Sequence, residues 1–488
     1  MDISDARLPL KTKAAYGVTA VADQCLFYLY GTFFMFYLTT VAGVRPAAAG
    51  VISAVGAIWD AIMAAVAGYI SDNHHSKYGR RKPFIMTFAF PMAAVTALMF
   101  TDFGLPMGMR IAYYTVICLA YWSFFPLFFI PFLAWGAELT EDYTERTTLR
   151  SYAYVGNTVG MALGTLVPTV LVDYLIGWGR SETGAWSGAM TAVAVCVFAV
   201  LFFGPMAVKS KSNALSAEEK AARKAARKEK KAAGEGGILS SLITMLREFG
   251  SVLKLRTLIY ILTASVLYLM ASTIFASDRM YFFTYNLGIS GKATSILMAV
   301  CTFSGAALLP LVAVTKKSVD KKMQYVVGMC GCAAVMLVFR FVAPESFVAA
   351  AVVMFAFGVS NMIYWQLLPA MLYDVCEVDE LKTGKQRQGT IVSLQSLVES
   401  VSEAVGILAL GFILELAGFN EALPVQPEGA LFWTSNCFTV LPVVFMAASA
   451  VMIYIYPITS KNFARIVAAV EAQRRGEKPD LEEFKDIL

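Results

Sequence analysis

Seven ionisable side chains fall inside long apolar runs: Asp23, Asp60, Asp278, Arg279, Glu399, Glu403 and Glu415. A charge at membrane depth costs about 2.5 to 3.5 kcal/mol on insertion scales, which makes each of them a functional candidate. Asp60 lies close to the centre of its run, where a carboxylate can take up sodium or a proton and change its charge in doing so. In Val398-Glu-Ser-Val-Ser-Glu403 the two acids are four residues apart, hence stacked on one helical face. Two carboxylates this close in a low-dielectric cavity repel, and a shared or exchangeable proton relieves the repulsion. The expected coupling set is Asp60, Glu403, Glu399 and Asp23, and the expected ion is a proton rather than sodium. Asp278 and Arg279 are neighbours in the chain and do not face each other directly. Arg279 either grips a carboxylate or sulfate of the solute with its two-pronged fork or locks onto Asp60, Asp23 or Glu403.

Other chemistries find little to work with. The chain has only two histidines, His74 and His75, and none of its eight cysteines forms a Cys-x-x-Cys pair. Metal and cofactor sites are therefore not expected. No nucleophile and base pair suggests an enzyme. The net charge of +5 is modest and most basic residues sit in polar loops, which argues against nucleic acid as a partner.

The elements that position these charges are membrane helices. The chain is 58% hydrophobic and 15% charged, with a mean hydropathy of +0.62, so its apolar surface needs lipid as solvent. A span needs about 20 mostly apolar residues. Twelve windows qualify: 14–40, 47–70, 83–101, 111–135, 152–176, 186–206, 258–287, 293–314, 325–342, 347–372, 390–416 and 431–456. A Lys/Ala-rich stretch divides them into two sets of six. The expected domains are a six-helix bundle over 1–208, a helical and partly amphipathic cytoplasmic linker over 209–255, a second bundle over 256–460 and a cytoplasmic tail over 461–488. With both termini inside, 34 of the 40 Lys and Arg residues face the cytoplasm and five face outward. The positive-inside rule then fixes the orientation in the inner membrane. The expected partners are the bilayer, a small solute and a coupling cation, with the chain acting as a monomer.

Several motifs carry a family resemblance when taken in order. They are Ile58-Trp-Asp-Ala-Ile62, Gly68-Tyr-Ile-Ser-Asp72, Ser76-Lys-Tyr-Gly-Arg-Arg-Lys-Pro-Phe84, Ile130-Pro-Phe-Leu-Ala-Trp-Gly-Ala-Glu-Leu-Thr140, Tyr143-Thr-Glu-Arg-Thr147 and Tyr373-Asp-Val-Cys-Glu-Val-Asp-Glu-Leu-Lys-Thr-Gly384. From about residue 10 to 460 the chain resembles the glycoside-pentoside-hexuronide:cation symporters, melibiose permease among them. The resemblance implies an all-α major facilitator fold of twelve transmembrane helices in two bundles, alternating access, and a solute site near the midplane. Its basic turn implies an ion-pair latch, formed in one state and broken in another. Asp72, Gly79, Arg80, Arg81, Glu138, Arg146 and Asp374 belong to that gating set.

Within the resemblance, Asp60 occupies the cation-site position. Trp365 matches a tryptophan beside the solute, whose face stacks on a sugar ring, and Tyr28 can join it. The sugar-binding acid of helix 1 reads Gln24 here, the helix 4 acid reads Phe129 and the helix 5 arginine reads Tyr154. A second helix 2 acid reads Ala64. The expected solute-site set is Trp365, Gln24, Tyr28, Tyr154, Phe129, Asp278 and Arg279, and the expected solute is a glycoside, uronide or similar small polar molecule. The less polar positions 64 and 129 keep open an amphipathic solute such as a lysolipid.

Overall fold

A computed structural model describes residues 8–73, 81–139, 143–208, 247–315, 319–343, 346–384, 387–420, 423, 425–475 and 484. Each apolar window is helical: α1 (Leu10–Thr40), α2 (Pro46–Asn73), α3 (Lys82–Met99), α4 (Met107–Leu139), α5 (Tyr143–Gly177), α6 (Glu182–Met206), α7 (Arg256–Tyr281), α8 (Gly291–Thr315), α9 (Lys321–Val342), α10 (Phe347–Thr383) and α11 (Gln388–Leu416). The last window is two helices, α12 (Glu428–Phe438) and α13 (Val440–Ile455), broken at Thr439, and α14 (Ser460–Arg474) follows. Among the described residues ten spans are long and apolar enough to cross a membrane, α12 and α13 counting together as one. The other two, α1 and α8, are 31 and 25 residues long.

Backbone groups in lipid must be satisfied internally, so the apolar runs become helices, and their ends are set by caps. Ser181, Asp320, Ser346 and Thr459 each accept a first-turn N–H at the starts of α6, α9, α10 and α14. Helix and hydropathy do not end together. Beyond the expected end at 372, α10 continues to Thr383 and stops at Gly384, whose φ of 68° suits glycine and whose N–H bonds to the Glu380 carbonyl at 2.7 Å. The expected span 258–287 closes in a π turn, Phe282–Asn286. There Asn286 donates to the Leu431 carbonyl at 2.9 Å and accepts from Thr434 at 2.7 Å.

The described residues form two compact units. The first gathers Met1–Ala214 with Ala276–Thr302 and Ile407–Ser435; the second gathers Leu215–Phe275, Phe303–Gly406 and Asn436–Leu488. In the first, α5 lies directly on α1. A Cβ built on Gly156, Gly160 or Gly164 overlaps the carbonyl oxygens of Gly17, Val21 and Cys25 respectively. Only glycine lets the two backbones approach this closely. At the Thr40 end of α1, the Tyr281 hydroxyl lies 2.5 Å from the Thr39 hydroxyl and donates to the Met35 carbonyl at 3.1 Å. Beside it the Glu415 carboxylate accepts the Ala47 N–H at 2.8 Å, capping the first turn of α2. A Cβ on Gly411 would come within 2.6 Å of the Pro46 carbonyl oxygen at the same crossing. The hydroxyls of Thr169 on α5 and Ser295 on α8 meet at 2.6 Å.

The second unit is held by stacked rings and by ion pairs. Tyr268 stacks on Tyr364 at 4.3 Å and Phe275 on Phe357 at 3.8 Å. The tail helix α14 docks on the end of α10 through Arg474, whose Nε and Nη2 each donate to Glu380 at 2.7 Å. That bonding raises the Arg474 pKa above the usual guanidinium value, and the Asp379 carboxylate does the same to Arg387. Arg387 also donates to Ser251 at 2.8 Å, tying the α10–α11 turn to the segment before α7.

Candidate functional site

In the first unit, α1 supplies a polar face. Asp23 is buried, and Gln24 donates to its carboxylate at 3.1 Å. Gln24, Tyr28 and Thr32 follow at four-residue intervals, so their side chains rise along one side of the helix. Asp60 is half-buried on α2, next to Trp59, whose indole N–H donates to Ser123 on α4 at 2.8 Å. The Tyr121 hydroxyl of α4 donates to the Leu26 carbonyl at 2.8 Å and lies within electrostatic reach of both Asp23 and Asp60. Three helices thus bring two carboxylates, an amide and a phenol into one neighbourhood.

Arg279 belongs to the same unit and is buried; its Nη2 donates to the Thr32 hydroxyl. Tyr28 and Cys301 lie within its electrostatic reach. Of the acids expected to pair with it, the two in its own unit do not: among the described residues no ion pair joins Arg279 to Asp23 or Asp60. Asp278 is fully buried, and neither of its oxygens meets a hydrogen-bond partner among the described residues. Phe129 is half-buried with its ring 5.5 Å from Phe125, whereas Tyr154 is 56% exposed on α5.

The second unit holds Glu399 and Glu403 of α11. Glu399 accepts from Gln395 at 3.0 Å, and the same amide nitrogen donates to Ser265 on α7 at 2.6 Å. The Ser265 hydroxyl meets that of Tyr364 on α10 at 2.5 Å. Tyr364 is within electrostatic reach of both Glu399 and Glu403, which both lie half-buried. Trp365, its chain neighbour, is 47% exposed with its ring edge-on to Tyr364 at 5.2 Å. The result is a continuous hydrogen-bonded chain from a carboxylate to a phenol beside an accessible indole.

Part of the expected gating set lies outside the described residues: Gly79 and Arg80 entirely, and the side chains of Asp72, Glu138 and Arg146. Arg81 stands half-buried at the start of α3. Asp374 pairs with Lys321 at 2.6 Å, linking α10 to α9 beside a cavity of about 90 Å³ that Lys322, Tyr456 and Phe463 also line. An ion pair absent from the expected set joins Lys13 of α1 to Glu145 of α5 at 2.9 Å.

Thr32, Ser265, Tyr364 and Gln395 also escaped the sequence reading. They are neutral, and nothing in an apolar run marks one hydroxyl or amide over another. The spacing of Gln24, Tyr28 and Thr32 was the single available signal. Among the described residues no three His, Cys, Asp or Glu side chains converge as metal ligands.

Residues 15–460 match the model of the MFS/sugar transport protein family. A glucuronide carrier protein homolog of Escherichia coli is 23% identical over 96% of this chain and 97% of its own length. The isoprimeverose transporter of Lactiplantibacillus pentosus is 23% identical over 92% and 89%. A solved D-xylose-proton symporter superimposes with a TM-score of 0.62 over 92% of this chain and 97% of that one, at 15% identity, which speaks to fold alone. The chain therefore has the all-α major facilitator fold of a multi-pass membrane protein, and it belongs to the MFS/sugar transport protein family, among the glycoside-pentoside-hexuronide:cation symporters.

Proposed function

We propose that this protein imports a glycoside or hexuronide in symport with a proton by alternating access across the inner membrane, with both termini in the cytoplasm. Relatives named as a glucuronide carrier homolog, an isoprimeverose transporter and a putative glycoside/cation symporter support sugar-type symport. The observation that carries the proton reading is the chain Glu399–Gln395–Ser265–Tyr364, a carboxylate held in place and joined by hydrogen bonds to two hydroxyls. Such a group takes up and releases a proton without reorganising its surroundings. Glu403 near the same phenol, and Asp23 with Asp60 around Tyr121, extend the set of proton acceptors. Trp365 in the second unit, and Gln24 and Tyr28 along α1 in the first, are each candidate solute contacts.

In this orientation the Thr40 end of α1 faces outward. The Glu415 cap on α2 and the Tyr281–Thr39 contact then form an external closure that must open for the solute to enter.

Flux in proteoliposomes tests the reading. An imposed inward pH gradient should drive glycoside or uronide uptake, a sodium gradient should not, and Glu399→Gln and Glu403→Gln should each cut pH-driven uptake by about tenfold or more. Sodium-driven uptake unaffected by Glu403→Gln would overturn proton coupling.

A further inference from the structure

Arg279 poses a problem of charge. A guanidinium stays ionised in a protein, and burying it uncompensated is costly. Here it is buried, its Nη2 is engaged by a neutral hydroxyl, and its Nε has no hydrogen-bond partner. The carboxylate beside it in sequence, Asp278, does not bond to it. Within the first unit, therefore, a cation with an unspent donor stands against the polar face of α1, one turn beyond Tyr28 and two beyond Gln24. A guanidinium presents its N–H groups as a fork matched to the two oxygens of a carboxylate.

The geometry points to a specificity role: we propose that Arg279 selects an acidic solute, its fork holding the carboxylate of a hexuronide while Gln24 and Tyr28 take ring hydroxyls along the same face of α1. This rests on the sugar-symport reading and narrows it to solutes carrying a negative charge. The solute supplies the counter-charge that no ion pair gives Arg279 among the described residues, so an acid gains an attraction that a neutral sugar does not. The Thr32 hydroxyl holds the fork in place until the solute arrives and then shares or yields its bond.

Recognition by charge also tells acid from ester. Full-length protein in detergent is titrated with methyl β-glucuronide, with the methyl ester of that compound, and with methyl β-glucoside, each read by thermal shift and by displacement binding. Wild type should bind the acid about tenfold or more tightly than either neutral compound. Arg279→Gln should bring that ratio close to one while leaving neutral-sugar binding in place. Arg279→Lys keeps the charge without the fork and should give an intermediate ratio, which preserves the test if the glutamine variant does not fold.

Equal binding of acid and ester by wild type overturns the inference and leaves sugar symport standing, as does an unchanged ratio in both Arg279 variants. Binding of none of the three compounds overturns the glycoside reading and this inference with it.

Discussion

Gln395 is the junction of the second unit's polar chain. Its amide nitrogen serves two acceptors, Ser265 on α7 and Glu399 one turn along α11, and so fixes where the Glu399 carboxylate points. Gln395→Leu removes both bonds. Hydrogen bonds between membrane helices contribute about 0.6 to 2 kcal/mol each, so a drop in thermal stability of about that size is expected in detergent. A packing defect alone would stop there. A group that positions the proton acceptor would in addition shift the pH profile of uptake relative to wild type, and an unchanged profile would reduce Gln395 to a structural bond. At this scale the sequence separates charges from everything else: Asp60, Asp278 and Glu399 stand out because an ionised group in an apolar run is expensive. Gln395, Ser265, Tyr364 and Thr32 do not, because neutral polar groups are tolerated at many positions and acquire a role only from the neighbours that folding brings. Tyr154, which the family pattern places among the solute contacts, has 56% of its surface exposed on α5.

The helices themselves were legible, because lipid leaves a spanning chain almost no alternative to the helix. Their ends were less so. Hydropathy reports where lipid begins, whereas a helix ends where a cap or glycine stops it, which is why α5 starts at Tyr143 and α10 runs to Thr383 beyond their apolar windows. The break at Thr439 and the π turn after Tyr281 have no hydropathy signal at all. The stripe of glycines on α5 has a sharp consequence. Gly160→Leu places a branched side chain where the Val21 carbonyl already sits, forcing α1 and α5 apart. The variant should lose the monodisperse peak in size-exclusion chromatography from detergent. Gly31→Ala adds a methyl group that meets nothing within 4 Å and should keep that peak.

For the whole molecule the decisive pattern is charge. The Lys and Arg residues gather in the loops on one side, and only Arg45, Arg110, Arg180, Lys292 and Arg340 fall in the loops of the other. A membrane-impermeant maleimide should therefore label Ser290→Cys in intact cells, and should reach Ser216→Cys only after the membrane is permeabilised; the reverse result would invert the orientation. The sequence revealed this asymmetry because topology depends on totals, which survive errors of a few residues at each helix end. The grouping of Ala276–Thr302 and Ile407–Ser435 with the first half of the chain is different. It depends on contacts such as Tyr281 with Thr39 that no local pattern announces.

The α1–α5 pair has one more use. Because main chain touches main chain at three successive levels, no side chain between them can change rotamer and alter their spacing. Spectroscopic probes on these two helices would give the same separation whatever solute or proton is bound. The protein thus carries an internal ruler, and movements measured elsewhere in the transport cycle can be calibrated against it.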